Sequence, residues 1–136
     1  MSFLIDTDLL SILGRKHVPA KLAAWVSAND GDIFLSAVSL AEIQYGISSA
    51  PVTHQPALAA WLDGVRRTFA ASTEPLDEPV LVRWKELLRD MKIRKRTMTC
   101  EDSLIAATAL HHGLTLVTHN TRHFSPAGVA LVDPLS

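Results

Sequence analysis

The chain has 136 residues, of which 48% are hydrophobic and 20% are charged, and its formal net charge is −1. These values are typical of a single globular domain, spanning residues 1–136, and they exclude a disordered or fibrous chain. Because the net charge is close to zero, nucleic acid would have to bind at a local basic patch. A single cysteine and the lack of a secretory signal or apolar span predict a cytoplasmic protein.

Short apolar strands alternate with helices along the chain. In order, we predict a strand at 3–5, helices at 7–13 and 20–27, a strand at 33–35, a helix ending near 47, a helix at 57–70, a brief strand at 74–76, helices at 78–91 and 103–111, and strands at 114–118 and 129–132. Gly14 and Gly113 are predicted to end the helices that precede them. This alternation indicates an α/β fold in which helices flank a doubly wound parallel sheet of four to five short strands.

Four polar residues stand where such a sheet binds ligands. Asp6 directly follows the first strand, and Asn120 follows the late strand LTLV. Glu42 and Asp102 lie on helices that are expected to open near the same edge. Open parallel sheets bind ligands beyond the carboxyl ends of their strands, near the point where the strand order reverses. These four side chains are therefore the candidate site.

Each carboxylate also has a simpler structural explanation. Asp6, or Thr7 beside it, is suited to cap the first helix, and Glu42 fits an exposed helical position. Asp102 ends the sequence 99–102, which resembles a capping box. Only convergence of the carboxylates in space distinguishes a functional site from these local roles.

If the carboxylates converge, they require a counter-charge. Two carboxylates 4 Å apart repel each other by about 4 kcal/mol at an effective dielectric constant near 20. A cluster of three must therefore bind a cation or retain protons at a raised pKa. Oxygen ligands favour hard ions, so the predicted cofactor is Mg²⁺, with Mn²⁺ as the alternative.

Three stretches of the chain resemble PIN-domain ribonucleases of the VapC toxin type: FLIDTDLLSIL, SAVSLAEIQYG and EDSLIAATALHHGLTLVTHNTRHF. The third is the most specific, because an acidic residue, LIAATAL, a glycine turn and LVTHNTRHF follow in order. The resemblance spans essentially the whole chain and implies a PIN-like sheet and a metal-dependent endoribonuclease. It also implies that a metal-activated water hydrolyses RNA and leaves 5′-phosphate and 3′-hydroxyl ends.

The resemblance assigns catalytic and metal-binding roles residue by residue. Asp6, Glu42 and Asp102 match the three family carboxylates that hold the metal. Asn120 matches a fourth catalytic position, which is Asp or Asn in the family. His123 stands where many members have a further acid, so we expect one tightly held ion, with any second ion arriving with the substrate.

Other residues are predicted to support this site or the core. Asp8 matches a position that is often polar in the family and is expected to support the site or to cap a helix. Thr7 and Thr118 are expected either to position waters or phosphate oxygens or to serve as structural hydroxyls. The three tryptophans are expected to pack in the core rather than to stack on bases, and a dimer or partner surface is the alternative for some of them: Trp25, Trp61 and Trp84.

The run KIRKR at 92–96 is the best local phosphate-binding patch, and a solvated loop before the next helix is the alternative. Its predicted RNA contacts are Arg94, Lys95 and Arg96, and single-stranded or looped RNA is the expected substrate. The resemblance further implies a small VapB-like antitoxin, a homodimer and a toxin–antitoxin hetero-oligomer.

Alternative functions are also considered. The Asp-x-Asp of residues 6–8 resembles haloacid dehalogenase-like phosphatases, in which Asp6 would be a covalent nucleophile, but the expected lysine after a late strand is absent. Receiver domains need the same lysine and a phosphorylated aspartate after a central strand, and neither is expected here. A catalytically inactive PIN-fold interaction module is a third alternative. A zinc site of Cys100, His119 and His123 lacks a second matched pair of ligands.

Overall fold

Five short strands form one parallel sheet in the computed structural model, which describes residues 1–136. The strands are β1 (Phe3–Ile5), β2 (Ile33–Ser36), β3 (Thr73–Glu74), β4 (Thr115–Val117) and β5 (Leu131–Val132). Their order across the sheet is β3-β2-β1-β4-β5, and every neighbouring pair is parallel. The predicted α/β fold with a doubly wound parallel sheet is confirmed.

Seven α-helices connect and cover the strands. They are α1 (Thr7–Leu13), α2 (Ala20–Ala28), α3 (Ala37–Ser48), α4 (Gln55–Thr68), α5 (Glu78–Ile93), α6 (Cys100–His112) and α7 (Thr121–Phe124). Two short 3₁₀ turns lie at Ala70–Ser72 and Ser125–Ala127. None of the helices combines the length and the apolar character that crossing a bilayer requires.

Helices cover both faces of the sheet because the strands are apolar on both faces. Leu4 and Leu116 point into a core that they share mainly with α5 and α6. Their neighbours Phe3, Ile5 and Val117 point the opposite way, into a second core with α1, α2, α3 and α4. The central strands are thus buried between two helical layers.

The strand order reverses beside β1, which lies at the centre of the sheet. From β1 the chain adds β2 and β3 on one side and later returns to add β4 and β5 on the other. The Asp6 amide donates a hydrogen bond to the Val117 carbonyl at 3.0 Å, which joins the carboxyl ends of β1 and β4. This is the place where open parallel sheets bind ligands.

The elements differ from the sequence predictions at a few ends. The third strand stops at Glu74, because Pro75 has no N–H to donate to a neighbouring strand. Helix α6 begins at Cys100, three residues earlier than predicted, because the Thr99 hydroxyl caps it there. Helix α7 and the 3₁₀ turn after it lie where a loop was expected.

Gly14 ends α1, but it does not adopt the left-handed conformation expected of a glycine at a helix end. Its φ of −87° and ψ of −2° are right-handed, a conformation open to any residue. A Cβ atom on Gly14 would instead lie 2.8 Å from atoms of the Trp61 ring. The position therefore requires glycine because α1 and α4 approach closely. Gly113, with φ 65°, does adopt the left-handed conformation expected at a helix end.

The three tryptophans pack against the protein as predicted. Trp25 meets the Phe3 ring edge-on with the ring centroids 5.0 Å apart. Trp84 packs on the α5–α6 core and donates a 2.8 Å hydrogen bond from its Nε1 to Ser103 Oγ. Trp61 packs on the second core, where it covers the end of α1.

Candidate active site

An acidic cavity of about 50 Å³ lies beyond the carboxyl ends of β1 and β4. Separate parts of the chain supply its lining, which consists of Asp6, Thr7, Asp8, Glu42, Asp102, Asn120, His123 and Phe124. All four predicted catalytic residues are among them. The structure therefore brings these residues together, and their catalytic and metal-binding roles stay predictions.

Asp6 is fixed by hydrogen bonds to both of its carboxylate oxygens. Oδ1 accepts the Leu9 amide at 2.8 Å, so Asp6 caps the N-terminus of α1. Oδ2 accepts the Thr118 hydroxyl at 2.5 Å. Only 3% of the residue is exposed. The capping role and the site role are thus compatible, because one carboxylate serves both.

Glu42 is held by the hydroxyl of Thr7. The Thr7 hydroxyl donates to Glu42 Oε1 at 2.7 Å and also lies 2.8 Å from Ser39 Oγ. Because Thr7 has one proton and donates it to the carboxylate, the buried Ser39 hydroxyl must donate to Thr7. Thr7 is therefore a structural hydroxyl that orients Glu42.

Asp102 lies in the first turn of α6. Its amide donates to the Thr99 hydroxyl at 3.1 Å, which is one half of the predicted capping box. No return bond joins the Asp102 carboxylate to the Thr99 amide, and Asp102 lines the cavity.

Asn120 follows β4 and is held at two points. Its amide N–H donates to Thr118 Oγ1 at 2.9 Å, and its Nδ2 donates to Asp8 Oδ2 at 3.0 Å. The Asn120 side-chain oxygen, Oδ1, makes no hydrogen bond within the protein, whereas its backbone carbonyl accepts the His123 amide at 3.0 Å. Asp8 therefore supports the site by orienting Asn120, and Thr118 links Asn120 to Asp6.

Burial raises the pKa of all three predicted metal-binding carboxylates. The pKa of Asp6 rises from 3.8 to about 6, mainly because burial disfavours the charged form and also because Asp8 and Asp102 are near. Burial likewise raises the pKa of Glu42 and that of Asp102, and neighbouring carboxylates add to both effects. The cavity concentrates negative charge that a cation would offset.

The donors in the cavity fit a hard divalent cation in chemical type, because they are carboxylate and amide oxygens. No three histidine, cysteine, aspartate or glutamate side chains converge closely enough to chelate an ion as they stand. Mg²⁺ does not need such a cage, since it keeps several waters and binds one or two carboxylates together with substrate phosphates. The donor types of the cavity therefore fit an ion that keeps several of its waters.

The predicted basic patch is only partly free. Arg94 donates to Asp90 Oδ2 at 2.8 Å and to the Pro126 carbonyl at 2.5 Å, so it ties α5 to the 3₁₀ turn before β5. Lys95 and Arg96 are exposed in the turn that follows α5. RNA binding by this run stays a prediction, and Arg94 has an evident structural role.

The zinc alternative has no support in the structure. His119 lies 3.1 Å from an Asp133 carboxylate oxygen, Cys100 is exposed, and His123 lines the acidic cavity. These side chains form no metal-binding group.

The two phospho-aspartate alternatives lack a required residue. No lysine lines the acidic cavity, although both mechanisms need one beside the aspartate. The expectation that no aspartate follows a central strand was wrong, because β1 is central and Asp6 follows it. Receiver domains are therefore excluded only because the cavity contains no lysine.

Arg122 was not predicted as a candidate site residue from the sequence, although it lies in the third stretch that resembles the family. It lines a pocket next to the acidic cavity, together with Thr97 and Thr99. The basic residue two positions after Asn120 was the available indication.

The fold and the cavity define an α/β protein with an acidic site at the reversal of its strand order. A family profile described as "PIN domain" matches residues 3–129. Toxin FitB of Neisseria gonorrhoeae is 30% identical, over 96% of this chain and 96% of its own. VapC ribonuclease Y4jK of Sinorhizobium fredii is 27% identical, over 96% of this chain and 95% of its own. The crystal structure of FitAcB from Neisseria gonorrhoeae superposes with a TM-score of 0.90 at 29% identity and covers 98% of both chains.

The chain belongs to the PIN-domain family. The resemblance to VapC-type PIN domains that the three sequence stretches indicated is confirmed.

Proposed function

We propose that the protein is a metal-dependent endoribonuclease and the toxin of a toxin–antitoxin pair. One observation carries the proposal: oxygen ligands from distant parts of the chain, Asp6, Glu42, Asp102 and Asn120, line one small cavity where the strand order reverses. Relatives named a VapC ribonuclease and a toxin support it. We further infer that residues 1–136 act as one cytoplasmic domain.

Asp6, Glu42 and Asp102 would hold the metal, Mg²⁺ or Mn²⁺. When bound, such an ion supplies a water of lowered pKa for attack on phosphorus and neutralises the developing charge on the phosphate oxygens. Thr118 and the Leu9 amide fix the Asp6 oxygens, and Thr7 fixes Glu42.

Asn120 would act on the substrate. Its backbone amide is anchored through Thr118 and its Nδ2 through Asp8, which leaves the side-chain oxygen Oδ1 available as a neutral ligand. We propose that the RNA products carry 5′-phosphate and 3′-hydroxyl ends, as the family resemblance implies, because water rather than the ribose 2′-hydroxyl would attack phosphorus and the 3′-oxygen would leave.

The test combines metal binding with RNA cleavage. Mn²⁺ binding is measured by calorimetry, and cleavage of a labelled structured RNA is measured with Mg²⁺ and with EDTA. We expect Asp6→Asn and Asp102→Asn to lose at least about 10- to 100-fold in metal affinity or rate. Asp30→Asn is the control, because Asp30 is exposed and lies outside the cavity.

Equal cleavage by all four proteins would overturn the proposal. A wild-type protein that binds neither Mn²⁺ nor RNA would instead favour the inactive interaction module.

We also propose a small VapB-like antitoxin as the partner. A basic side chain of the partner placed in the acidic cavity would offset the carboxylates and exclude RNA. Co-expression of a short open reading frame next to the gene should restore growth, and its product should co-purify with this chain. Restored growth without co-purification would contradict direct neutralisation.

A homodimer is proposed as the assembly, with the antitoxin making a hetero-oligomer. Tyr45 of α3 is 76% exposed and borders a mostly apolar depression with Leu76 and Leu104. Light scattering should show a dimer that Tyr45→Glu converts to a monomer. Val52→Glu, at a residue that is 80% exposed, is the control and should leave the dimer intact.

A further inference from the structure

The acidic cavity is too small for a nucleotide. Its volume is about 50 Å³, and one water takes up about 30 Å³ in the liquid. An RNA strand cleaved there must therefore extend into depressions that adjoin the cavity.

One adjoining depression, the Arg122 pocket, is lined by Thr97, Met98, Thr99, Asp102, Arg122 and His123. Its volume is about 460 Å³, within the range of about 300–1,000 Å³ that is usual for ligand sites. It shares Asp102 and His123 with the acidic cavity, so the two adjoin. It offers hydroxyls and a guanidinium, which are donors suited to phosphate.

A second depression, the Arg15 pocket, adjoins the cavity through Asp8 and Asn120. Its volume is about 360 Å³, and Ser11, Arg15 and His119 also line it. It therefore offers the same kind of donors as the Arg122 pocket. It adjoins the cavity at Asp8 and Asn120, whereas the Arg122 pocket adjoins it at Asp102 and His123.

The two pocket arginines have no partner within the protein. Neither Arg122 nor Arg15 makes a salt bridge or a side-chain hydrogen bond, whereas Arg66 and Arg94 are paired with aspartates. A free guanidinium gives up no internal interaction when it binds phosphate, and its planar group can bind two phosphate oxygens at once.

Two further depressions that adjoin the cavity are unsuited to a polyanion. One lies among α1, α3 and α4 and contains Asp8, Glu42 and the Trp61 ring. Another contains Glu42 and Glu101 and is otherwise largely apolar. Both expose carboxylates and neither contains a lysine, arginine or histidine. Charge therefore favours the two arginine pockets.

We propose that a single strand of RNA crosses the acidic cavity from the Arg122 pocket to the Arg15 pocket. Arg122 and Arg15 each bind one phosphate, on opposite sides of the phosphodiester that is cleaved. This path rests on the proposed ribonuclease function, and it assigns substrate-binding residues outside the four predicted catalytic positions.

The experiment measures binding of a fluorescein-labelled single-stranded oligoribonucleotide to the full chain in EDTA, so that binding is separate from cleavage. The affinity is measured from 50 to 200 mM NaCl. Each phosphate contact on a single strand contributes about 0.7 to the slope of log affinity against log salt. We expect Arg122→Gln and Arg15→Gln each to reduce the slope by about 0.7, and the double variant by about 1.4.

Arg89→Gln is the matched control, because Arg89 is exposed on α5, makes no ion pair and lines neither pocket. Its slope should equal that of the wild type. Urea midpoints equal to wild type would establish that the pocket variants are folded.

The outcomes separate the path from the ribonuclease function. Reduced slopes without RNA cleavage by the wild type would support the path and contradict the enzyme. Cleavage with unchanged slopes would contradict the path alone. A reduced slope for only one arginine, or a wild-type protein that does not bind the oligoribonucleotide, would also overturn the crossing path.

Discussion

The Thr118 hydroxyl donates a hydrogen bond to Asp6 Oδ2 across 112 positions of sequence. Both residues are buried, with Thr118 fully inaccessible, and they join the end of β4 to the end of β1. The same Thr118 oxygen accepts the amide of Asn120. One hydroxyl thus sets the positions of two predicted catalytic residues.

Thr118→Val should destabilise the protein, because it leaves a buried carboxylate oxygen of Asp6 and the Asn120 amide without partners. The expected loss in the free energy of unfolding is about 1–3 kcal/mol at pH 7, measured by urea denaturation. Thr68→Val is the control, since Thr68 is exposed and makes no side-chain hydrogen bond. Equal losses for the two variants would contradict the assigned role.

Stability of the metal-free protein should fall as the pH rises from about 4 to about 6. The pKa of Asp6 is raised from 3.8 to about 6, so in this interval the folded state binds more protons than the unfolded state. The stabilisation of the folded state by protonated Asp6 is complete below pH 3.8, and it is lost as the pH rises through the pKa of the folded state. A shift of this size corresponds to up to about 3 kcal/mol.

Asp6→Asn tests that linkage, because the amide oxygen keeps the helix cap without the charge, although the amide nitrogen cannot accept the Thr118 hydroxyl. The lost bond affects stability at every pH, so the test is the pH dependence of stability rather than its absolute value. Its stability should vary less between pH 4 and 6. Asp30→Asn should change neither property, and a stability profile for Asp6→Asn that parallels the wild type would contradict the assignment.

Gly14→Ala should be destabilising although the backbone there is an ordinary right-handed one. The new Cβ would meet the Trp61 ring at 2.8 Å, and overpacking of this kind costs about 1–3 kcal/mol. Gly46→Ala is the matched control, because it lies in α3 with no atom within 4 Å of the added Cβ. It should instead raise stability by up to about 1 kcal/mol. A Trp61→Leu background should remove most of the Gly14→Ala effect.

Thr7→Val should weaken Mn²⁺ binding without removing any proposed ligand. It frees Glu42 from the hydroxyl that orients it, and loss of such a partner costs about 10- to 100-fold in metal affinity. Thr7→Ser retains the hydroxyl and should restore affinity in calorimetry. Weak binding by both variants would show that Glu42 does not depend on this bond.

Much of the fold was readable because apolar runs and turn residues are local features. The runs at Phe3–Ile5 and 114–118 predicted the two central strands, and Asp6 was recognised both as a cap and as a candidate ligand. Helix α7 was missed because four residues carry no helical periodicity. The role of Gly14 was missed because it depends on Trp61, which is distant in sequence.

The residues that line the candidate site could be predicted from the sequence, but the hydrogen bonds that orient them could not. Strand ends fix where Asp6 and Asn120 must lie, whereas the pairings of Thr7 with Glu42 and of Arg94 with Pro126 depend on how helices pack. Such pairings join residues at separations that no local pattern encodes. Arg94 was therefore predicted as an RNA contact without any sign that it is bonded to Asp90 and Pro126.

The pairing of β1 with β4 has a consequence during synthesis. β1 is synthesised before its neighbour at Thr115–Val117, with β2, β3 and helices α1 to α6 between them in the chain. Until β4 and the residues that follow it have left the ribosome, Asp6 has no Thr118 to bind. A nascent chain should therefore assemble the predicted catalytic cavity only after β4 has been made.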